Sequence, residues 1–157
     1  PVPPNLSFAD RDWFTAVRDQ DGRLPYVSRA YLGRQSGQPI FNLAKRLTAR
    51  DGHFTGAIAL SLDRSYFETI YREIDPDPAH SVTLARADGQ ILAREPATSL
   101  QQLPGTSLLG AAIRSGDAGS YSGSSSIDGV TRIHEFRRVG AYPVFIGFGV
   151  SEESVRA

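Results

Sequence analysis

The residues of this chain best placed to do chemistry form a binding pattern. Arg11-Asp12-Trp13-Phe14 sets a cation beside a large aromatic, and Pro25-Tyr26-Val27-Ser28 follows shortly after. In an extended segment successive side chains alternate faces, so Tyr26 and Ser28 share one. An aromatic wall, a guanidinium and hydroxyls suit a small anionic or polar ligand, because Arg presents two parallel N–H donors to a carboxylate. The same residues also have a plainer reading. In it, Trp13 and Tyr26 fill a core and Arg11 is an exposed residue at a helix start.

Other chemistries find little footing. His53, His80 and His134 are scattered, and none sits at metal-ligand spacing, so neither a metal nor a cofactor is expected. The absence of Cys excludes disulfides, Cys-ligated zinc, iron–sulfur clusters and a Cys nucleophile. Gly119-Ser120-Tyr121-Ser122-Gly123 has the glycine separation of a nucleophile elbow but not its arrangement of Ser. Asp10, Asp12 and Asp63 are not spaced as paired carboxylates on one helical face. No catalytic residue is assigned. The 17 basic and 17 acidic side chains cancel, which argues against a nucleic-acid partner.

These residues must be held by ordinary elements. Leu, Ile, Val and Phe make up about a quarter of the chain, above the range of disordered sequences, so a packed core is expected. Asp21-Gly22, Asp51-Gly52, Asp88-Gly89 and Asp128-Gly129 punctuate it, and the last three are flanked by apolar alternation that marks hairpins. Strands are expected at Tyr26–Leu32, Ile40–Ala49, Phe54–Leu62, Val82–Ala85, Ile91–Leu92, Ser120–Ile127, Val130–Val139 and Tyr142–Ser151. Helical spacing places Trp13, Phe14 and Val17 on one face of Asp10–Gln20, and Tyr66, Phe67, Ile70, Tyr71 and Ile74 along Asp63–Ile74. Ser65 and Glu68 read as a capping box for that second helix, and Pro76 and Pro78 stop it. Thr106–Ser115 is a third, shorter helix, and Ser151–Ala157 reads as the start of a fourth. The loop Gly116–Ser126 reads either as a mobile flap or as a small-residue strand edge. Hairpins grouped between helices give an α+β fold of antiparallel sheets, divided at Asp75-Pro76-Asp77-Pro78. The longest apolar run, Val144–Val150, is interrupted by Gly147 and Gly149 and falls far short of the roughly 20 residues of a membrane span. A chain that starts at Pro1 and lacks Met is expected to be a segment of a longer one.

The order of these motifs resembles a known family. Asp10-Arg11-Asp12-Trp13-Phe14, Tyr26-Val27-Ser28, Gly37-Gln38-Pro39-Ile40, Arg46-Leu47, Asp51-Gly52-His53-Phe54-Thr55-Gly56 and Asp63-Arg64-Ser65-Tyr66-Phe67 are similar to the first half of the double Cache, or tandem PAS-like, sensor region of bacterial transmembrane receptors. Ala87-Asp88-Gly89-Gln90-Ile91-Leu92-Ala93-Arg94-Glu95-Pro96, Phe136-Arg137-Arg138-Val139 and Tyr142-Pro143-Val144 resemble its second half. The resemblance is nearest to sensors attached to diguanylate cyclases and histidine kinases.

The resemblance implies tandem PAS-like modules, each a central antiparallel sheet flanked by helices. Residues 1–76 would be the C-terminal part of a membrane-distal module, incomplete without its long first helix. Residues 77–157 would be the membrane-proximal module. It also implies a ligand site in the distal module. Arg11, Trp13, Phe14 and Tyr26 match the amino-acid-binding pattern of the family, with Ser28 and Ser61 where that pattern has two Asp. Without those carboxylates an ammonium group lacks its charge partner, so a small carboxylate or a neutral polar metabolite is expected instead. Asn42 aligns with a Thr of the pattern, and Tyr31 and Arg46 complete the candidate set. The protein is then expected to be the periplasmic, ligand-sensing part of an inner-membrane receptor. It would act as a homodimer tethered by flanking helices and relay to a kinase or cyclase output domain. The alternatives are a dimerisation module that binds no small molecule and a small Ser/His hydrolase.

Overall fold

The computed structural model describes residues 5–20 and 22–156; Asp21, of the first Asp-Gly pair, lies outside them. The chain opens with helix α1 (Asp12–Asp19), followed by β1 (Tyr26–Val27), β2 (Tyr31–Leu32), β3 (Pro39–Thr48), β4 (Phe54–Asp63) and α2 (Arg64–Ile74). After the Pro76–Pro78 stretch come β5 (Ser81–Arg86), β6 (Ile91–Glu95), α3 (Leu108–Ser115), β7 (Ala118–Ser124), β8 (Thr131–Arg138), β9 (Val144–Ser151) and α4 (Glu152–Arg156). The expected α+β fold of antiparallel sheets with flanking helices is what forms. The Asp-Gly turns at 51–52, 88–89 and 128–129 close hairpins or their bulged equivalents, with Gly52, Gly89 and Gly129 at φ of 91°, 85° and 74°.

Two sheets result. In the first, β3 is central, with β4 on one side and β1 and β2 end to end on the other. The single strand expected over Tyr26–Leu32 is broken because the Ser28 hydroxyl, not a backbone carbonyl, accepts the Asn42 N–H at 2.7 Å. A side chain has taken a ladder position, and the strand bends away. The second sheet runs β6-β5-β9-β8-β7. The Gly/Ser-rich segment at its edge is strand β7, paired along its whole length with β8.

Alternation gives each sheet two distinct faces. Phe41 and Leu62 of the first sheet look toward Phe67 and Tyr71 of α2 and, beyond them, toward Val82, Leu84, Leu92 and Val144 of the second sheet; all belong to one apolar cluster. That cluster therefore bridges the chain on both sides of the Pro76–Pro78 stretch. The opposite face of the first sheet carries Ala44 under Trp13 and Val17 of α1. The opposite face of the second carries Ala85, Phe136 and Phe145 under Leu109 and Ile113 of α3.

Helix α2 corrects one expectation. Its cap is Asp63, whose carboxylate accepts the Ser65 N–H at 2.8 Å. Glu68 does not reach back to complete a capping box but holds Arg64 at 2.9 Å one turn earlier. An ionised carboxylate at the first position outcompetes a hydroxyl two residues on, because it also meets the positive end of the helix. Tyr66 and Ile74, expected on the apolar face, are exposed, and the buried face is Phe67, Ile70 and Tyr71.

Candidate ligand-binding site

The outer face of the first sheet has small side chains where β3 and β4 pair. Asn42 lies opposite Ser61 and Ala44 opposite Ala59. The room they leave becomes a cleft of about 540 Å³ between this face, Phe8 and Trp13, and the β2–β3 loop with Arg34 and Ser36. Tyr31, Asn42, Ser61 and Asp63 complete its lining.

A directional chain of hydrogen bonds forms the cleft floor. Trp13 Nε1 donates to the Tyr31 hydroxyl at 2.9 Å, Tyr31 donates to Asn42 Oδ1, and Asn42 Nδ2 donates to Ser61 Oγ at 2.9 Å. Each link polarises the next, and the last hydroxyl, Ser61, accepts from the chain while its own proton stays available to a ligand. Burial raises the Tyr31 pKa above that of an ordinary phenol, so Tyr31 remains a donor at neutral pH. Arg34 pairs with Asp10 at 2.5 Å on the rim. The Asp63 carboxylate enters the cleft while capping α2 through one of its oxygens.

Four of the eight expected site residues, Trp13, Tyr31, Asn42 and Ser61, thus meet at one cleft. The other four stand behind or beside it. Arg11 does not reach into the cleft; its guanidinium lies 4.2 Å over the Tyr31 ring and donates to the Leu32 carbonyl. Ser28 is fully buried, bonded to the Asn42 N–H and to the Arg29 carbonyl, so it fixes Asn42 and touches no open space. Tyr26 turns toward Asp12 and Arg86, away from the cleft. Arg46 donates to the carbonyls of Val17 and Arg18 and so satisfies the end of α1. Trp13 and Tyr26 still belong to one apolar cluster.

Phe8, Arg34 and Asp63 were not anticipated. Asp63 carried a signal: it follows Ser61 by two residues on the same strand, and period-two alternation places both on one face. Arg34 carried none, because a loop has no periodicity. Among the described residues no cluster of His, Asp and Glu is arranged to hold a metal, and no helix is long and apolar enough to cross a membrane.

Comparisons with known proteins agree with this architecture. A family model described as a histidine kinase sensor domain, of the dCache type, matches residues 64–149. The extracellular domain of rpHK1S-Z16, described as a histidine kinase, superposes with a TM-score of 0.81 at 28% identity, over 97% of this chain and 64% of that one. The periplasmic sensory domain of the Campylobacter jejuni chemoreceptor Tlp1 gives a TM-score of 0.75 at 18% identity, over 94% of this chain and 57% of that one. The ligand-binding domain of the Pseudomonas aeruginosa chemoreceptor PctB, in complex with L-Arg, gives 0.71 at 18% identity, over 100% and 61%. The chain thus spans less than two thirds of the length of these structures. No curated protein matches it.

Proposed function

Because the chain belongs to the family of histidine kinase sensor domains, we propose that it is the ligand-sensing segment of an extracytoplasmic receptor. Residues 1–76 form the C-terminal part of a membrane-distal module and residues 77–157 a membrane-proximal one. The cleft on the first sheet takes a small polar ligand carrying a carboxylate. Arg34 and the Ser61 hydroxyl supply the donors, and Trp13 and Phe8 supply the apolar wall. One observation carries this reading: a directional chain of hydrogen bonds, Trp13 to Tyr31 to Asn42 to Ser61, ends at the floor of an open cleft with a proton to spare. Ligand binding favours one arrangement of the two sheets, and membrane helices flanking this segment in a dimer pass that bias to a kinase or cyclase output.

A second reading concerns the ligand alone. Asp63 places a carboxylate in the cleft, which suits an ammonium group and hence an amino acid, as in the PctB complex with L-Arg. Lactate and L-alanine separate the two readings, since they differ only by a hydroxyl in place of an ammonium. In a thermal-shift titration, stabilisation by lactate supports the carboxylate reading and stabilisation by alanine the amino-acid reading. A melting temperature indifferent to hydroxy acids, simple carboxylates and amino acids alike would sink the sensing proposal.

A further inference from the structure

A second polar site lies on the far face of the other sheet, independent of the cleft. Arg94 of β6 and Arg132 of β8 are 3% and 0% exposed. Both bind Asp128 in the β7–β8 turn: Arg94 Nη2 at 2.7 Å, and Arg132 through both terminal nitrogens at 2.8 and 3.0 Å. Arg94 Nη1 also donates to the Thr83 hydroxyl at 2.6 Å. Its Nε is buried and has no partner among the described residues. Beside the Arg94 side chain is a cavity of about 30 Å³, with Thr83, Tyr121 and His134 on its polar wall and Leu103 and Leu109 on its apolar one. By volume it holds about two waters, or one group of carboxylate size.

Charge decides what belongs there. Two guanidiniums face one carboxylate, so the cluster carries one uncompensated positive charge in a place where unpaired charge is costly. His134 does not offset it and adds no second charge, because burial, with the Arg132 and Arg94 charges, pushes its pKa down to about 4. Burial likewise pushes Tyr121 up to about 12, leaving a neutral hydroxyl on the wall. Glu135, between Arg132-side neighbours His134 and Phe136, points to the opposite, exposed face.

The geometry points to a binding site for a compact monoanion of formate or acetate size in this cavity, held by the Arg94 guanidinium and the Tyr121 hydroxyl. It places a second input in the membrane-proximal half, under α3 and against the β7–β8 turn.

The test follows the Arg94 Nε–H resonance of the chain by NMR during titration with sodium formate and sodium acetate, with sodium chloride at matched ionic strength as control. A saturable shift is expected with the carboxylates alone. Arg94→Lys, which keeps the charge but removes the planar guanidinium, should weaken carboxylate binding about tenfold or more in a parallel calorimetric titration. Val155→Ala, exposed on α4 and apart from both sites, should leave it unchanged. If Arg94→Lys fails to fold, Tyr121→Phe keeps the ring and removes only the hydroxyl, and a several-fold loss is expected. An Arg94 Nε–H that does not move, an equal response to chloride, or unchanged affinity in both variants would overturn the proposal.

Discussion

Asn42 is the residue on which the cleft depends. Its side chain joins Tyr31 to Ser61, and its backbone N–H is held by Ser28, which is why an amide 3% exposed can sit in one orientation. Replacing it with Ala strands the Tyr31 proton and removes the Ser61 donor. Asn42→Ala is expected to cost about 1–3 kcal/mol in chemical denaturation and to weaken any cleft ligand by a similar amount. His134 makes a separate prediction, on pH. Its pKa falls from 6.5 to about 4 on folding, so between those values the unfolded chain takes up a proton that the native one refuses. Stability therefore falls as pH drops through that window, by about 3 kcal/mol in all. His134→Phe, which keeps the stack on Tyr121 at 4.6 Å, should flatten that part of the pH profile; an unaltered profile would mean that other groups carry it.

At the scale of elements, the sheet glycines explain a pattern that looked like an interruption. Gly147 and Gly149 break the apolar run of β9 because a Cβ at 149 would meet the His134 ring and Arg132 Cδ, and one at 147 would lie 3.1 Å from Leu109. Gly149→Ala is expected to cost about 1–3 kcal/mol in thermal or urea unfolding, as overpacking does. Asp63→Ala should cost about 1 kcal/mol through the lost α2 cap.

Most of these elements were legible locally. Asp-Gly turns and period-two alternation marked the hairpins, and helical spacing marked the helices. The local errors came from competition that one segment does not reveal: Asp63 against Ser65 for the α2 cap, and the Ser28 hydroxyl against a strand carbonyl for Asn42. The site was half legible for the same reason. Ser61 and Asn42 were found, but their pairing across two strands, the turning of Arg11 and Tyr26, and the arrival of Arg34 from a loop are decided by contacts distant in sequence.

At the scale of the whole molecule, the question is how the two sheets communicate. Arg86, at the end of β5, donates to the Val27 carbonyl of β1 at 3.0 Å and lies 3.6 Å from Asp12 of α1. Asp12 in turn accepts the Arg29 N–H at 2.8 Å. One guanidinium of the second sheet thus touches β1 and also α1, the helix whose Trp13 lines the cleft. Arg86→Ala should lower hydrogen-exchange protection in α1 and β1 while leaving β7 to β9 as they were; a uniform loss over both sheets would mean that Arg86 supports the fold without specifically joining the halves.

The central claim is that a small polar ligand binds on the floor built from Trp13, Tyr31, Asn42 and Ser61. Trp13 is the only tryptophan in the chain, so its indole N–H gives one NMR signal that reports on this cleft and nothing else. Titrating the ligand that stabilises the protein against that signal is the most direct test. The expected result is a saturable shift of the Trp13 resonance with the affinity measured by calorimetry, lost in Asn42→Ala. Binding by calorimetry with the indole signal unmoved would contradict it.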